Sequence, residues 1–122
     1  MKSHKDLDVW RLGVDLACNV YKVTRSFPKE EQYGLANQMR RSATSIASNI
    51  AEGAARRSSK EFVHFLHVAL GSASELDTQL EIAVRVNLAD ATTLQVLQES
   101  AGRINQMLRG LAKSVRKDAG EV

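Results

Sequence analysis

The chain has one cysteine, one proline and seven glycines among its 122 residues. The lone Cys18 excludes an internal disulfide, and with it the small folds held together by such bonds. A single proline and few glycines leave little opportunity for turns, which favours a few long elements over many short ones. No run approaches the roughly 18 consecutive apolar residues that a membrane span needs. The opening MKSHKDLDVW is charged and lacks the apolar stretch of a secretory leader. A cytoplasmic protein with no membrane partner is therefore the expectation.

Signatures of catalysis are missing as well. There is no glycine-rich phosphate loop, because Gly71 is embedded in the helical pattern ALGSASEL. Ser42, Ser45 and Ser48 fall inside a helical segment, with no strained turn to present a nucleophilic hydroxyl. Cys18 lies among apolar and small residues with no histidine nearby in sequence, which reads as structural. Glu61-x-x-His64 has the spacing used by di-iron bundles, but such a site needs a second copy. Glu52, Glu75 and Glu99 are followed three residues later by Ala55, Thr78 and Gly102, so none exists. His64 and His67 alone would make a weak, unselective metal pair. The expectation is no enzyme, no metal, no cofactor and no small-molecule substrate.

What is present is helical periodicity in one domain spanning residues 1–122. Charged residues make up 25% and apolar ones 43%, the balance of a globular chain that buries roughly two thirds of its unfolded surface. Four segments carry apolar stripes, and no strand pattern competes with them. The first runs Trp10, Val14, Ala17, Tyr21 and Thr24. The second runs Ala36, Met39, Ala43, Ile46, Ile50 and Gly53. The third runs Phe62, Leu66, Ala69, Ala73, Leu76, Leu80 and Ala83. The fourth runs Leu94, Leu97, Ala101, Ile104, Leu108, Leu111 and Val115. Steps averaging 3.5 residues fit near-parallel helix packing.

The punctuation places helices at about 8–26, 29–53, 59–86 and 91–117. Pro28 suits the first turn of the second helix, and Gly53 can end it in a left-handed conformation. Ser58 with Glu61 reads as a capping box, and Asp90 as an N-cap. Short connections make sequential helices antiparallel neighbours, so the predicted architecture is an all-α, up-down-up-down four-helix bundle. The first helix has a second stripe of Val9, Leu12, Leu16, Val20 and Val23. It is either deeply buried or offers one face to another subunit.

The small residues Ser42, Ala43, Thr44, Ala47, Ser48 and Ala51 are expected to face Gly71, Ser72, Ala73 and Ser74. Asn49, Glu52 and Glu75 could join a polar network there. The cations are the functional candidates. Arg40, Arg41, Arg56, Arg57 and Lys60 gather around the second helix and the turn after it, while Arg103, Arg109, Lys113, Arg116 and Lys117 line the fourth. One reading is a solvated charged face; the other is phosphate contact with RNA or DNA. A net charge of +3 and a pI near 9.2 permit the second reading without demanding it.

The segment QMRRSATSIASNIAEG from Gln38, followed by Arg56, Ser59-Lys60-Glu61-Phe62, Phe65-Leu66 and ALGSASEL, resembles the 23S rRNA-intervening sequence protein family. LDVWRLGVDLACNVYKVTRSFPKEEQYGL is similar to that family's first helix and turn, and the resemblance extends over roughly residues 6 to 115. It implies a small cytosolic antiparallel four-helix bundle, in some members a ring-like homopentamer. It also implies kinship with the accessory proteins of diversity-generating retroelements, strongly basic pentamers that bind nucleic acid and a reverse transcriptase. The modest +3 departs from that basic pattern. No catalytic residues carry over. The expected function is a non-enzymatic homo-oligomer that binds structured RNA or a nucleoprotein partner, with a protein–protein scaffold as the alternative.

Overall fold

Four helices account for most of residues 3–120, the part of the chain that the computed structural model describes. They are α1 (Asp8–Thr24), α2 (Leu35–Ala54), α3 (Ser59–Arg85) and α4 (Ala91–Asp118), with single 3-10 turns at His4–Asp6 and Lys29–Glu31. No strand occurs among the described residues, and the fold is all-α, as the periodicity predicts.

Local chemistry sets the ends. Ser58 Oγ accepts a hydrogen bond from the Glu61 amide at 3.1 Å, the one arm of the expected capping box that forms. Asp90 accepts from the Thr93 amide at 3.0 Å and opens α4. Asn87 ends α3 in the left-handed region (φ 57°), a conformation that Asn tolerates better than most side chains. Its amide donates to the Val84 carbonyl, and the Leu88 amide to that of Ala83, which satisfies two of the last carbonyls of α3.

Two boundary expectations change. The second helix starts at Leu35 rather than just after Pro28, because Pro28 opens only one 3-10 turn before the chain breaks at Gly34 (φ −103°, ψ −115°). Glu31 covers the new start by accepting from the Leu35 amide at 3.4 Å. Gly53 does not end α2 in a left-handed conformation; it lies within the last turn, where α3 crosses. A Cβ there would meet Phe65 Cβ at 2.8 Å and the Phe62 carbonyl oxygen at 3.2 Å. Glycine is used at this position for closeness of approach, not for its backbone freedom.

Contacts between neighbouring helices run in opposite senses. Gly13 packs on Ile46 and Ala47, whereas Thr24, further along α1, meets Arg40, earlier in α2. Gly53 meets Phe62 and Phe65, whereas Ser45 meets Ser72. Glu81 accepts from Gln98, whereas His67 meets Arg116. α1 also packs against α4, which closes the circuit of helix contacts.

The core is built from the predicted stripes of α2, α3 and α4: Met39, Ile46, Ile50, Leu66, Leu76, Leu80, Leu94, Ile104 and Leu108 are all fully buried. Burying side chains of this size contributes about 1.5–3 kcal/mol each. α1 reverses the expectation. Val9, Leu16 and Val20 of its second stripe point inward, and of the Trp10 stripe only Thr24 is buried. Two apolar stripes lie side by side on this helix, and the one rich in β-branched and Leu side chains fits the core. Tyr21 is left exposed, and Trp10 is half-buried at the edge of the core.

Candidate functional site

The five candidate cations do not form one patch. About 22 Å of helix axis separates Arg41 from Arg56, at about 1.5 Å per residue. Arg40 is held within the fold: its Nε donates to Thr24 Oγ1 at 2.9 Å, one terminal nitrogen donates to Gln32 Oε1 at 3.1 Å, and the guanidinium lies 5.4 Å from the Tyr21 ring centre. Gln32 in turn donates to the Thr24 and Phe27 carbonyls at 2.8 and 3.0 Å. Arg40 thus clamps the end of α1 to the turn that follows it. Arg56 is engaged too, paired with Glu52 and set 4.9 Å from the Phe65 ring centre.

Arg41, Arg57 and Lys60 are exposed and make no ion pair among the described residues. Arg57 and Lys60 stand where α2 gives way to α3, and the folding of α4 brings further cations to that end. Arg116 donates to His67 Nε2 at 2.6 Å, which fixes the last turns of α4 beside the first turns of α3. Lys113 and Lys117 flank Arg116 and are exposed. Glu52, Glu61 and Asp118 are interspersed, and Glu52 is already matched by Arg56. Arg57, Lys60, Arg116 and Lys117 thus lie toward one end of the bundle, with Lys113 a turn further along α4, although the sequence presents them as two separate groups. The signal that could have joined them is the antiparallel order of α3 and α4.

Tyr21, over whose ring Arg40 lies, also lines a larger feature. Trp10, Val14, Ala17 and Tyr21 of α1 face Thr44, Ala47, Ser48 and Ala51 of α2 across an open groove of about 660 Å³. Small side chains on α2 make its floor low, and Trp10 and Tyr21 stand about 16 Å apart along α1. His4 stacks edge-on against Trp10 with ring centres 5.0 Å apart and closes one end. Lys22 and Arg25 stand at the other, Cys18 lies on the rim, and no acidic side chain lines the groove among the described residues. The small residues of α2 are therefore divided between two contacts. Ser42 and Ala43 are buried and Ser45 Oγ bonds Ser72 Oγ at 2.8 Å, while Thr44 and Ser48 line the groove with α1. Asn49 joins Ser45 as expected, but Glu52 turns to Arg56.

No group of three or more His, Cys, Asp or Glu side chains that could hold a metal ion occurs among the described residues. No described helix is long and apolar enough to cross a membrane. His64 stacks on Phe65 at 5.2 Å.

A crystal structure of a protein of unknown function from the S23 ribosomal protein family of Bacteroides thetaiotaomicron has the same fold. It matches with a TM-score of 0.78 and 25% identity, over 86% of this chain and 98% of that one. The curated proteins offer no match. The family model of the 23S rRNA-intervening sequence protein matches residues 5–110, and with the four-helix fold this establishes that the chain belongs to that family.

Proposed function

We propose that the protein is a non-enzymatic, cytoplasmic homo-oligomer, a homopentamer as in the resembling ring-forming bundles, whose basic end contacts the phosphates of structured RNA or of a nucleoprotein. The observation that carries the nucleic-acid reading is that Arg57, Lys60, Arg116 and Lys117 lie toward the same end of the bundle. Clustered cations are what sequence-independent phosphate binding requires, and each subunit of a ring would present the cluster again. Filter-binding titrations with RNA and DNA over a salt series test it. Affinity should fall steeply and linearly on a log–log plot as counterions are released. An absence of salt-sensitive affinity for either nucleic acid overturns this reading.

A scaffold without nucleic-acid binding is the second reading, favoured by the apolar groove between α1 and α2. An apolar groove rimmed by polar side chains is the kind of surface on which another chain packs. Both readings include self-association through that groove. Light scattering at micromolar concentration decides this point, and a monomer of 13.4 kDa would sink it.

A further inference from the structure

The side chain of Tyr33 is 96% exposed, on the turn between α1 and α2. It has no hydrogen bond or ring contact among the described residues. Lys29, Glu30 and Glu31 stand just before it in the turn that Pro28 opens; Glu31 is turned back to the Leu35 amide, and Glu30 is exposed. An aromatic ring held fully in water gives up the large burial that such side chains supply in cores and interfaces. The other exposed large apolar residues beyond the groove (Val68, Ile82, Val86 and Val96) are aliphatic and scattered over α3 and α4.

The α1–α2 groove is the converse. It is apolar, walled by Trp10 and Tyr21, bordered by Lys22 and Arg25, and free of acidic lining among the described residues. Its 660 Å³ has room for a phenol ring and part of the turn that carries it. We propose that Tyr33 of one copy seats in the α1–α2 groove of a second copy, with Glu30 placed against Lys22 and Arg25 of the receiving subunit. Knob and groove are different patches of the same chain, so repetition of the contact builds a closed ring or a filament. Complementary charge fixes which end of the groove the turn enters. The proposal rests on self-association through the groove and names the segment that fills it.

The experiment uses the full chain with Tyr33→Ala, Tyr33→Phe and Tyr33→Cys. Because the Tyr33 side chain stands in solvent in the single chain, all three should keep the wild-type helical circular-dichroism spectrum, while Tyr33→Ala should melt lower than the wild type at concentrations where the wild type is assembled. Tyr33→Ala should weaken assembly by about thirtyfold or more, the scale of a lost aromatic anchor, while Tyr33→Phe assembles normally. In Tyr33→Cys, a short bis-maleimide should link the introduced thiol of one copy to the native Cys18 of the next. Peptide mapping should locate that link, and adding Cys18→Ser should abolish it. If the wild type assembles but Tyr33→Ala assembles equally well and the introduced thiol does not reach Cys18, the proposal is overturned and self-association survives. If the wild type is monomeric, both fall together.

Discussion

Arg40 on α2 and Thr24 at the end of α1 form a polar lock: the guanidinium Nε donates to Thr24 Oγ1 at 2.9 Å, and that hydroxyl donates to the Val20 carbonyl at 2.7 Å. Thr24 is completely buried, so removing its partner leaves an acceptor stranded away from water. Arg40→Ala should therefore lower stability by about 1–2 kcal/mol, read from urea midpoints at constant m-value. Arg40→Lys should recover little, since an ammonium cannot serve Thr24 and Gln32 as a planar fork does. Exposed Arg41→Ala, one residue on, should change stability by less than about 0.5 kcal/mol. Equal effects at the two positions would show that the lock is not stabilising.

Gly53 and Gly13 make a second pair of contrasting tests. A methyl at Gly53 meets Phe65 Cβ at 2.8 Å and the Phe62 carbonyl oxygen at 3.2 Å, and backbone of α3 cannot yield cheaply. Gly53→Ala should cost about 1–3 kcal/mol through overpacking. At Gly13 the nearest atom, Ile46 Cγ2, would be at an ordinary 3.5 Å. Gly13→Ala should be neutral or stabilise by up to about 1 kcal/mol from helix propensity. Thermal melts of the two variants side by side provide the check.

These positions also mark how much the sequence conveys. Stripes such as Met39–Ile46–Ile50 and Leu94–Leu97–Ala101–Ile104–Leu108 placed three helices and most of their buried faces, although Val63, Leu70 and Ala112 are buried beside the stripes and Phe62, Leu111 and Val115 of the stripes are only half-buried. On α1 two stripes compete, and periodicity alone cannot choose between Trp10 and Leu16. Packing chooses, and in doing so it creates the groove. Gly53 reads as a helix stop because glycine takes the left-handed conformation so readily, yet its reason is an aromatic pair that arrives from another helix. Arg40 and Arg41 look alike in sequence, but one Cα rotation of about 100° puts the first over Thr24 and the second in water. Arg116 and Lys117 come to the same end of the bundle as Lys60 only through tertiary pairing, which local spacing does not encode.

Charge reversal separates the two ends of α2. Arg57→Glu with Lys60→Glu should reduce the magnitude of the salt slope of RNA or DNA binding by about 1–2, since each lost phosphate contact removes roughly 0.7–0.9. Arg41→Glu, about 22 Å away along the helix, should leave the slope unchanged. If Arg41→Glu flattens the slope and the pair at the α2–α3 turn does not, the contact surface lies at the opposite end.

Acid should loosen the α3–α4 pairing through Glu81. Its carboxylate accepts from Arg85 Nε at 2.8 Å and from Gln98 Nε2 at 3.1 Å. Those two hydrogen bonds, that from Arg85 foremost, hold its pKa below the ordinary carboxylate range. A carboxyl whose pKa is lower in the folded state favours the fold at pH values above its unfolded pKa. That contribution fades as pH drops from the unfolded value through the folded one. The group is half exposed, so the effect is small and screened by salt. Urea midpoints measured from pH 7 down to pH 3 should fall less steeply for Glu81→Gln than for the wild type. Gln98→Leu, which removes one donor to the carboxylate, should shift the wild-type curve part of the way toward that of Glu81→Gln. Superimposable pH profiles for Glu81→Gln and the wild type would mean that the link between α3 and α4 at this point rests on the neighbouring apolar contacts alone.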